Sequence, residues 1–145
     1  MKIALIEGPL LDKIGCREPE VYGKFSRKEL ETLLINQAVE SGVELVFVNS
    51  YIEGELARKI AECASDGIII NPGAYTHTSV LLRDALILFG KPCIEAHISN
   101  ILSREHFRRK SYIADIVDGF VCGFGKHTYA VALKGLISIL HEMER

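Results

Sequence analysis

Apolar residues along the chain form two alternating patterns, short continuous runs and longer segments with a helical repeat. The continuous runs predict five β-strands, at Lys2–Ile6, Val43–Val48, Gly67–Ile70, Pro92–Ile98 and Gly119–Cys122. The run Gly67–Ile70 is apolar throughout, which is typical of a strand that a parallel sheet buries on both faces.

The remaining apolar residues recur every three or four positions and predict helices. The first helix begins at a capping box formed by Ser26 and Glu29, and Gly42 ends it. Its apolar residues Leu30, Leu33, Leu34 and Ala38 share one face. Three more helices follow, one with the stripe Ile52, Leu56, Ile60 and Ala64, one through Val80, Leu81, Ala85 and Leu88 to Gly90, and one over Thr128–Met143.

Strands that alternate with helices predict a parallel sheet with right-handed connections. We therefore expect an α/β fold, a flavodoxin-like doubly wound sheet of five strands, in a single domain spanning residues 1–145. Ligands of such sheets bind beyond the carboxyl ends of the strands. Most of the unusual polar residues fall in segments that follow a predicted strand: Glu7–Phe25, Asn49–Ile52, Asn71–Ser79, Ser99–Ser111 and Gly123–Thr128. This coincidence predicts a site at that edge of the sheet.

Composition narrows the choice of partners. The chain has 145 residues, 48% of them apolar, and a net charge of −2, a balance that predicts neither a nucleic-acid partner nor an anionic membrane. The longest apolar runs are too short to cross a bilayer, and the N-terminus lacks the length of a signal peptide, so we expect a cytoplasmic enzyme. The five histidines show no metal-ligand spacing, so we expect no metal.

The segment Glu7–Gly23 is long for a strand-to-helix connection, and connections of this length are often functional. It contains Arg17 and Tyr22. A guanidinium near a phenol favours the phenolate, which can act as a general base. An exposed loop with a chance arginine and tyrosine explains the same spacing, and both interpretations stay open at this point.

Glu95 and His97 alternate at the end of the fourth predicted strand, so their side chains point to the same face. A carboxylate beside an imidazole fixes its tautomer and stabilises the imidazolium, as a general acid requires. The alternative is a buried structural ion pair, but the position at a strand end favours function.

Two further segments carry candidate ligand-binding groups. Asn71–Ser79 opens a helix whose first backbone N–H groups can bind an anion or a hydroxyl, and His77 either contacts the ligand or only closes the loop. Arg104 and Arg108 lie one helical turn apart, either as a solvated helix face or as groups that reach a polar substrate.

Four blocks of sequence carry a family resemblance: GCREPEVYG, NPGAYTHTS, EAHISN and SREHFRRKSY. Their order and spacing resemble the signature blocks of the type II dehydroquinases, and the resemblance extends from about Lys2 to Leu140. That family converts 3-dehydroquinate to 3-dehydroshikimate by removing water through an enolate, without a metal or an organic cofactor. The resemblance implies that Tyr22, activated by Arg17, removes a proton from the carbon next to the ketone. It also implies that His97, oriented by Glu95, protonates the departing hydroxyl.

The resemblance also implies a substrate-binding set and an assembly. Asn71 and the backbone around Ile98 and Ser99 would hold the carboxylate of a polyhydroxylated cyclic keto acid. His77 and Arg108 would bind its ring hydroxyls. Members of the family form dodecamers, tetramers of trimers, in which a neighbour's helix, here the one around Asp84, completes each site.

The chain departs from the family pattern in its first block, which in the family reads N-G-P-N-L-N. Glu7 replaces an asparagine and would add negative charge near the enolate. Leu10 replaces the asparagine that helps to position a water against the enolate, and Thr128 stands where a glycine is usual. Losing one preorganised donor to an oxyanion typically costs roughly 10²–10³-fold in rate.

These departures leave three interpretations of the function. The first is a dehydroquinase of the shikimate or quinate pathway with altered enolate stabilisation. The second is a paralogue that dehydrates a related β-hydroxy ketone. The third is a non-catalytic binding homologue, against which the retained tyrosine, arginine, histidine and glutamate argue.

Overall fold

The structure, a computed structural model, describes residues 1–16 and 18–145. Its strands are β1 (Lys2–Glu7), β2 (Glu44–Asn49), β3 (Gly67–Asn71), β4 (Cys93–His97) and β5 (Gly119–Cys122). Its α-helices are α1 (Pro19–Tyr22), α2 (Arg27–Glu40), α3 (Glu53–Ala61), α4 (Val80–Phe89) and α5 (Thr128–Met143). Short 3₁₀ turns lie at Leu11–Lys13, Gly73–His77, Ile101–Ser103, His106–Arg108 and Gly125–His127.

Over the described residues the five strands form one parallel sheet in the order β2-β1-β3-β4-β5. This is the flavodoxin-like order, so the predicted fold class is confirmed. From β1 the chain adds β2 on one side of the sheet and then β3, β4 and β5 on the other. The carboxyl ends of β1 and β3 therefore border the crevice in which such folds bind ligands.

The alternation of side chains along the strands builds one core on each face of the sheet. Ile3 and Leu5 of β1 pack with buried residues of α2 and α5, whereas Ala4 and Ile6 pack with those of α3 and α4. The same alternation decides the direction of the polar residues at the strand ends. Glu7 continues the series of Ile3 and Leu5 and so points toward α2 and α5.

The helices follow the predicted pattern with three differences, the first of which is the short helix α1, which the sequence pattern did not predict. The capping box at Ser26 and Glu29 is confirmed at the start of α2. The helix predicted through Ala64 ends at Ala61, because the chain turns there to enter β3, where the Asp66 N–H donates to the Lys2 carbonyl at 2.8 Å. The segment with Arg104 and Arg108 is not the α-helix that their spacing suggested, since the structure forms 3₁₀ turns there.

Within the described ranges, no helix is both long and apolar enough to cross a bilayer. The same part of the chain contains no group of three or more histidine, cysteine, aspartate or glutamate residues arranged to hold a metal ion.

Candidate active site

A cavity of about 160 Å³ opens at the carboxyl ends of β1, β3 and β4, where the sequence predicted a site. Side chains and backbone from five segments of the chain line it: Pro9, Leu10, Leu11, Tyr22, Asn71, Gly73, Ala74, His77, His97, Ile98, Ser99, Ile101, Arg104 and Arg108. Among these are eight of the residues that the sequence singled out for catalysis or binding, so the fold brings together positions from 22 to 108.

Glu95 and His97 form a buried pair at the end of β4. The His97 Nε2 lies 2.6 Å from the Glu95 Oε1, which leaves Nδ1 as the ring nitrogen that can exchange a proton with a ligand. The Glu95 carboxylate also accepts hydrogen bonds from the hydroxyls of Thr76 at 2.5 Å and Ser111 at 2.8 Å. The Phe120 ring packs against the imidazole at 5.8 Å between centroids. These contacts hold the imidazole in one orientation with its carboxylate partner fully bonded.

Tyr22 is the last residue of α1 and lies in the cavity wall. The Arg104 Nη1 donates to its phenol oxygen at 3.2 Å, and the guanidinium carbon lies 5.8 Å from the ring centroid. A cationic donor at this oxygen can stabilise the negative charge that develops when a phenol loses its proton. Arg17, the residue predicted to activate Tyr22, lies outside the described residues.

His77 and Arg108 lie on the side of the cavity formed by the 3₁₀ turns. The Lys110 carbonyl lies 2.7 Å from the His77 Nδ1, and because a carbonyl only accepts, Nδ1 carries the proton. Burial lowers the pKa of His77, which keeps the imidazole neutral and its Nε2 available to accept from a hydroxyl. The Arg108 Nε lies 3.2 Å from the Glu105 carboxylate.

The first half of the segment after β1, residues 8–14, is folded against the sheet. Gly8 passes so close to β3 that a Cβ there would lie 2.2 Å from the Pro72 carbonyl oxygen, so a side chain cannot be accommodated. Leu11 and Ile14 are buried, and the Tyr51 hydroxyl donates to Asp12 at 2.5 Å. The first half of the segment therefore packs on the sheet, whereas Gly15, Cys16 and residues 18–20 are exposed, and for that second half both interpretations stay open.

Leu10 lies in the wall of the cavity and has a left-handed backbone conformation, with φ 68° and ψ −1°. Its side chain is 44% exposed and lines the cavity. L-residues other than glycine, asparagine and aspartate rarely adopt this conformation, because the Cβ approaches the following carbonyl oxygen.

Glu7 ends β1 with a carboxylate that is 1% exposed. Its Oε2 lies 2.6 Å from the Arg27 Nη1, and its Oε1 accepts from the Tyr129 hydroxyl at 2.8 Å. The Asn71 Nδ2 donates to the same hydroxyl at 2.7 Å, and its Oδ1 accepts from the Gly73 N–H at 3.2 Å. A polar network therefore joins a charged residue behind the cavity to Asn71 in its wall.

Asp84 lies elsewhere in this chain. It is an exposed residue of α4 and borders a separate hollow between α3 and α4 with Gly54, Ala57, Arg58, Ala61, Leu81, Ala85 and Leu88. Within one copy of the chain, Asp84 and the cavity residues do not form one site.

Comparison with known proteins supports a family assignment. The family described as dehydroquinase class II matches residues 1–137. The 3-dehydroquinate dehydratase of Sulfurimonas denitrificans is 44% identical over 99% of this chain and 91% of the relative. That of Carboxydothermus hydrogenoformans is 47% identical over 97% of this chain and 92% of the relative. The chain belongs to the class II dehydroquinase family.

Solved structures of the family have the same fold. The type II dehydroquinase of Butyrivibrio crossotus superposes with a TM-score of 0.89, at 37% identity over 94% of this chain and 97% of that chain. The type II dehydroquinase of Propionibacterium acnes gives 0.88 at 35% identity, over 94% of this chain and 96% of that chain.

One expectation about the departures from the family pattern has to be corrected. Glu7 was expected to add charge beside the enolate, but it is not among the described residues that line the cavity. Its position on β1 points the carboxylate toward α2 and α5, where Arg27 pairs with it. Thr128 also has a local role, since its Oγ1 accepts from the Phe124 N–H at 3.1 Å at the start of α5.

Four residues that sequence reasoning did not single out hold the predicted ones in place. Thr76 and Ser111 donate to Glu95, and Arg27 and Tyr129 bind Glu7. A buried carboxylate needs hydrogen-bond donors, so a glutamate at the buried end of a strand, such as Glu95 or Glu7, indicates that donors lie nearby. Nothing in the local pattern indicated which residues they would be.

Proposed function

We propose that this chain dehydrates 3-dehydroquinate to 3-dehydroshikimate, as a hydro-lyase of the class II dehydroquinase family. Tyr22 removes a proton from the carbon next to the ketone, and an enolate forms. His97 then gives a proton to the departing hydroxyl, which leaves as water. The sum of the two transfers is the loss of one water molecule with no change of oxidation state, so the reaction needs no redox partner.

The geometry of the cavity supports these two roles. Tyr22 and His97 line the same small cavity, with Arg104 on the phenol oxygen and Glu95 on the imidazole. This pairing of a cation with the base and a carboxylate with the acid is the observation that carries the proposal. Each group then has a partner that stabilises the charged form it takes during the reaction.

The remaining predicted residues are assigned to binding. Asn71 and the backbone of Ile98 and Ser99 hold the substrate carboxylate at the ends of β3 and β4. The neutral His77 accepts a hydrogen bond from a ring hydroxyl, and Arg108 donates to another. Arg17 keeps its assignment as an activator of Tyr22.

The relatives favour 3-dehydroquinate over a related ketone. Curated relatives at 42–47% identity over nearly the whole chain carry the name 3-dehydroquinate dehydratase. We further propose that the enzyme is cytoplasmic and cofactor-free and acts in the shikimate pathway. The alternative to this biosynthetic role is quinate breakdown, in which the same reaction would be a catabolic step.

We also propose that the chain assembles into the family's dodecamer, with the Asp84 of a neighbour completing each cavity. Support comes from α4, where Leu81, Ile87 and Leu88 expose apolar side chains close to Asp84. Contiguous exposed apolar surface of this kind is typical of interaction sites.

The activity is tested by following formation of the conjugated enone from 3-dehydroquinate. We expect turnover by the wild type and a loss of roughly 10²–10⁴-fold in Tyr22→Phe and in His97→Ala, with circular dichroism spectra unchanged. Tyr75→Phe is the matched control, since this hydroxyl donates to the Tyr51 carbonyl and does not line the cavity. Near-normal turnover by Tyr22→Phe would remove it as the base, and no turnover by any of the proteins would contradict the activity.

A further inference from the structure

Glu7 is a buried titratable residue to which the proposed reaction gives no role, although two successive hydrogen bonds link it through the Tyr129 hydroxyl to Asn71 in the cavity wall. We propose that Glu7, held by Arg27, is a positioning residue that fixes the carboxamide orientation of Asn71 through the Tyr129 hydroxyl. This inference rests on the proposed function, in which Asn71 donates a hydrogen bond to the substrate carboxylate.

The direction of each hydrogen bond follows from the charge on Glu7. An ionised carboxylate only accepts, so the Tyr129 hydroxyl must give its single hydrogen to Glu7 across 2.8 Å. That hydroxyl can then only accept at its contact with Asn71, which places the Nδ2 of Asn71, and not its Oδ1, at the 2.7 Å position. The Gly73 N–H, which donates to Oδ1, requires the same orientation from the other side.

Fixing the carboxamide decides what Asn71 presents to a ligand. One hydrogen of Nδ2 is bound to Tyr129, and the second is the donor that the side chain retains. An N–H donor suits a carboxylate, whereas a reversed carboxamide would present its oxygen and repel one. Glu7 therefore influences affinity for an anionic substrate without contacting it.

The Arg27 guanidinium stabilises the ionised form of the Glu7 carboxylate and so opposes the effect of burial. The guanidinium binds Glu7 at 2.6 Å through Nη1 and Glu31 at 2.6 Å through Nε. Burial raises the pKa of Glu7, while Arg27 and the Tyr129 hydroxyl lower it and Glu31 raises it slightly. Without Arg27, the carboxyl would take up a proton, and the Tyr129 hydroxyl would no longer be forced to donate to it.

Replacing the Glu7 carboxylate by a neutral amide should reverse the direction of the hydrogen bonds that run through Tyr129 to Asn71. In Glu7→Gln, Arg27 attracts the amide oxygen, so the amide nitrogen faces Tyr129 and donates to its hydroxyl. The hydroxyl then gives its own hydrogen to Asn71, which favours the Asn71 oxygen at that contact and turns Nδ2 toward the Gly73 N–H. Two donors then oppose each other, and the carboxamide loses its single orientation.

The test compares steady-state kinetics on 3-dehydroquinate for Glu7→Gln, Arg27→Met, Tyr129→Phe and Glu31→Gln, at a pH above the raised pKa of Glu7. We expect KM to rise roughly tenfold in the first three, the size expected for a hydrogen bond to a charged group, while kcat changes little. Glu31→Gln is the matched control, because it removes the exposed partner of the same guanidinium and should keep the wild-type KM.

A double variant separates positioning from a purely structural role. With Tyr129→Phe already present, Glu7→Gln should lower the melting temperature further but leave KM unchanged, because the link to Asn71 is cut. If the wild type is active and Glu7→Gln has the wild-type KM, the inference is overturned while the proposed function stands. A second rise of KM in the double variant would have the same consequence. A wild type that does not turn over 3-dehydroquinate would overturn the proposed function, and the inference with it.

Discussion

Leu10 combines an unfavourable backbone conformation with an apolar side chain in the wall of the active-site cavity. A left-handed conformation costs an ordinary L-residue roughly 1–2 kcal/mol, and asparagine tolerates it better. The resemblance to the family implies an asparagine at this position, which would suit the conformation, and in this chain leucine adopts it next to the buried Leu11. Strain retained at a cavity wall is typical of functional sites.

We predict that Leu10→Asn raises kcat for 3-dehydroquinate by up to roughly 10²-fold, the usual cost of losing one oxyanion donor. The same variant should raise the free energy of unfolding by up to about 1 kcal/mol, because the left-handed conformation is less strained. Adding Glu7→Asn should give no further gain in kcat, since Arg27 already neutralises Glu7 outside the cavity.

The measurement is kcat for the wild type, Leu10→Asn, Glu7→Asn/Leu10→Asn and Leu10→Ala, which removes the side chain without adding a donor. Robust turnover by the wild type that falls in Leu10→Asn would mean that another group already stabilises the enolate. Equal gains in Leu10→Asn and Leu10→Ala would assign the effect to steric relief.

The contacts of Glu7 join three secondary-structure elements at the active-site edge of the sheet. The ion pair with Arg27 connects β1 to α2, and the hydrogen bond from Tyr129 connects β1 to α5. Burial raises the pKa of Glu7 above its value in the unfolded chain. The folded protein therefore binds this proton more tightly than the unfolded chain does. The resulting stability is fully present below the ordinary glutamate pKa and is lost as pH rises through the raised pKa.

We predict that the free energy of unfolding of the wild type, measured relative to Glu7→Gln, falls as pH rises across that window. Glutamine cannot titrate, so the variant lacks this contribution to the pH dependence. Urea unfolding at several pH values and one protein concentration measures the difference. A difference that stays constant or grows with pH would contradict the prediction.

At the scale of the whole molecule, the question is how many copies of the chain form the working enzyme. We predict a closed homo-oligomer, because closed symmetry is usual for soluble assemblies and α4 exposes apolar side chains beside Asp84. Leu88→Glu, on the most exposed of these side chains, should lower both the assembly mass and the turnover.

Light scattering after size exclusion measures the mass. Val39→Glu is the matched control, because Val39 is comparably exposed, at 72% against 74% for Leu88, but lies on α2. A wild-type monomer at micromolar concentration would contradict the assembly. An active monomer would also remove the neighbour's Asp84 from the site.

The sequence by itself determined the features that depend on neighbours along the chain. The strand β5 and the helix α5 have their predicted bounds, and the capping box starts α2 as expected. Alternation along a strand predicted that Glu95 and His97 share a face, and they form a direct hydrogen bond. Strand-end position placed most of the candidate residues at one edge of the sheet, because parallel strands all end there.

Only the tertiary structure decided which distant residues complete those candidates. Arg104 contacts the Tyr22 hydroxyl from 82 positions away, and Glu7 bonds to Tyr129 across 122. Arg27 and Glu7 lie on different elements, and their spacing gave no sign of an ion pair. Such contacts follow from how helices pack on the two faces of a twisted sheet. Local periodicity fixes the direction of a side chain from its own element but not what the fold brings opposite it.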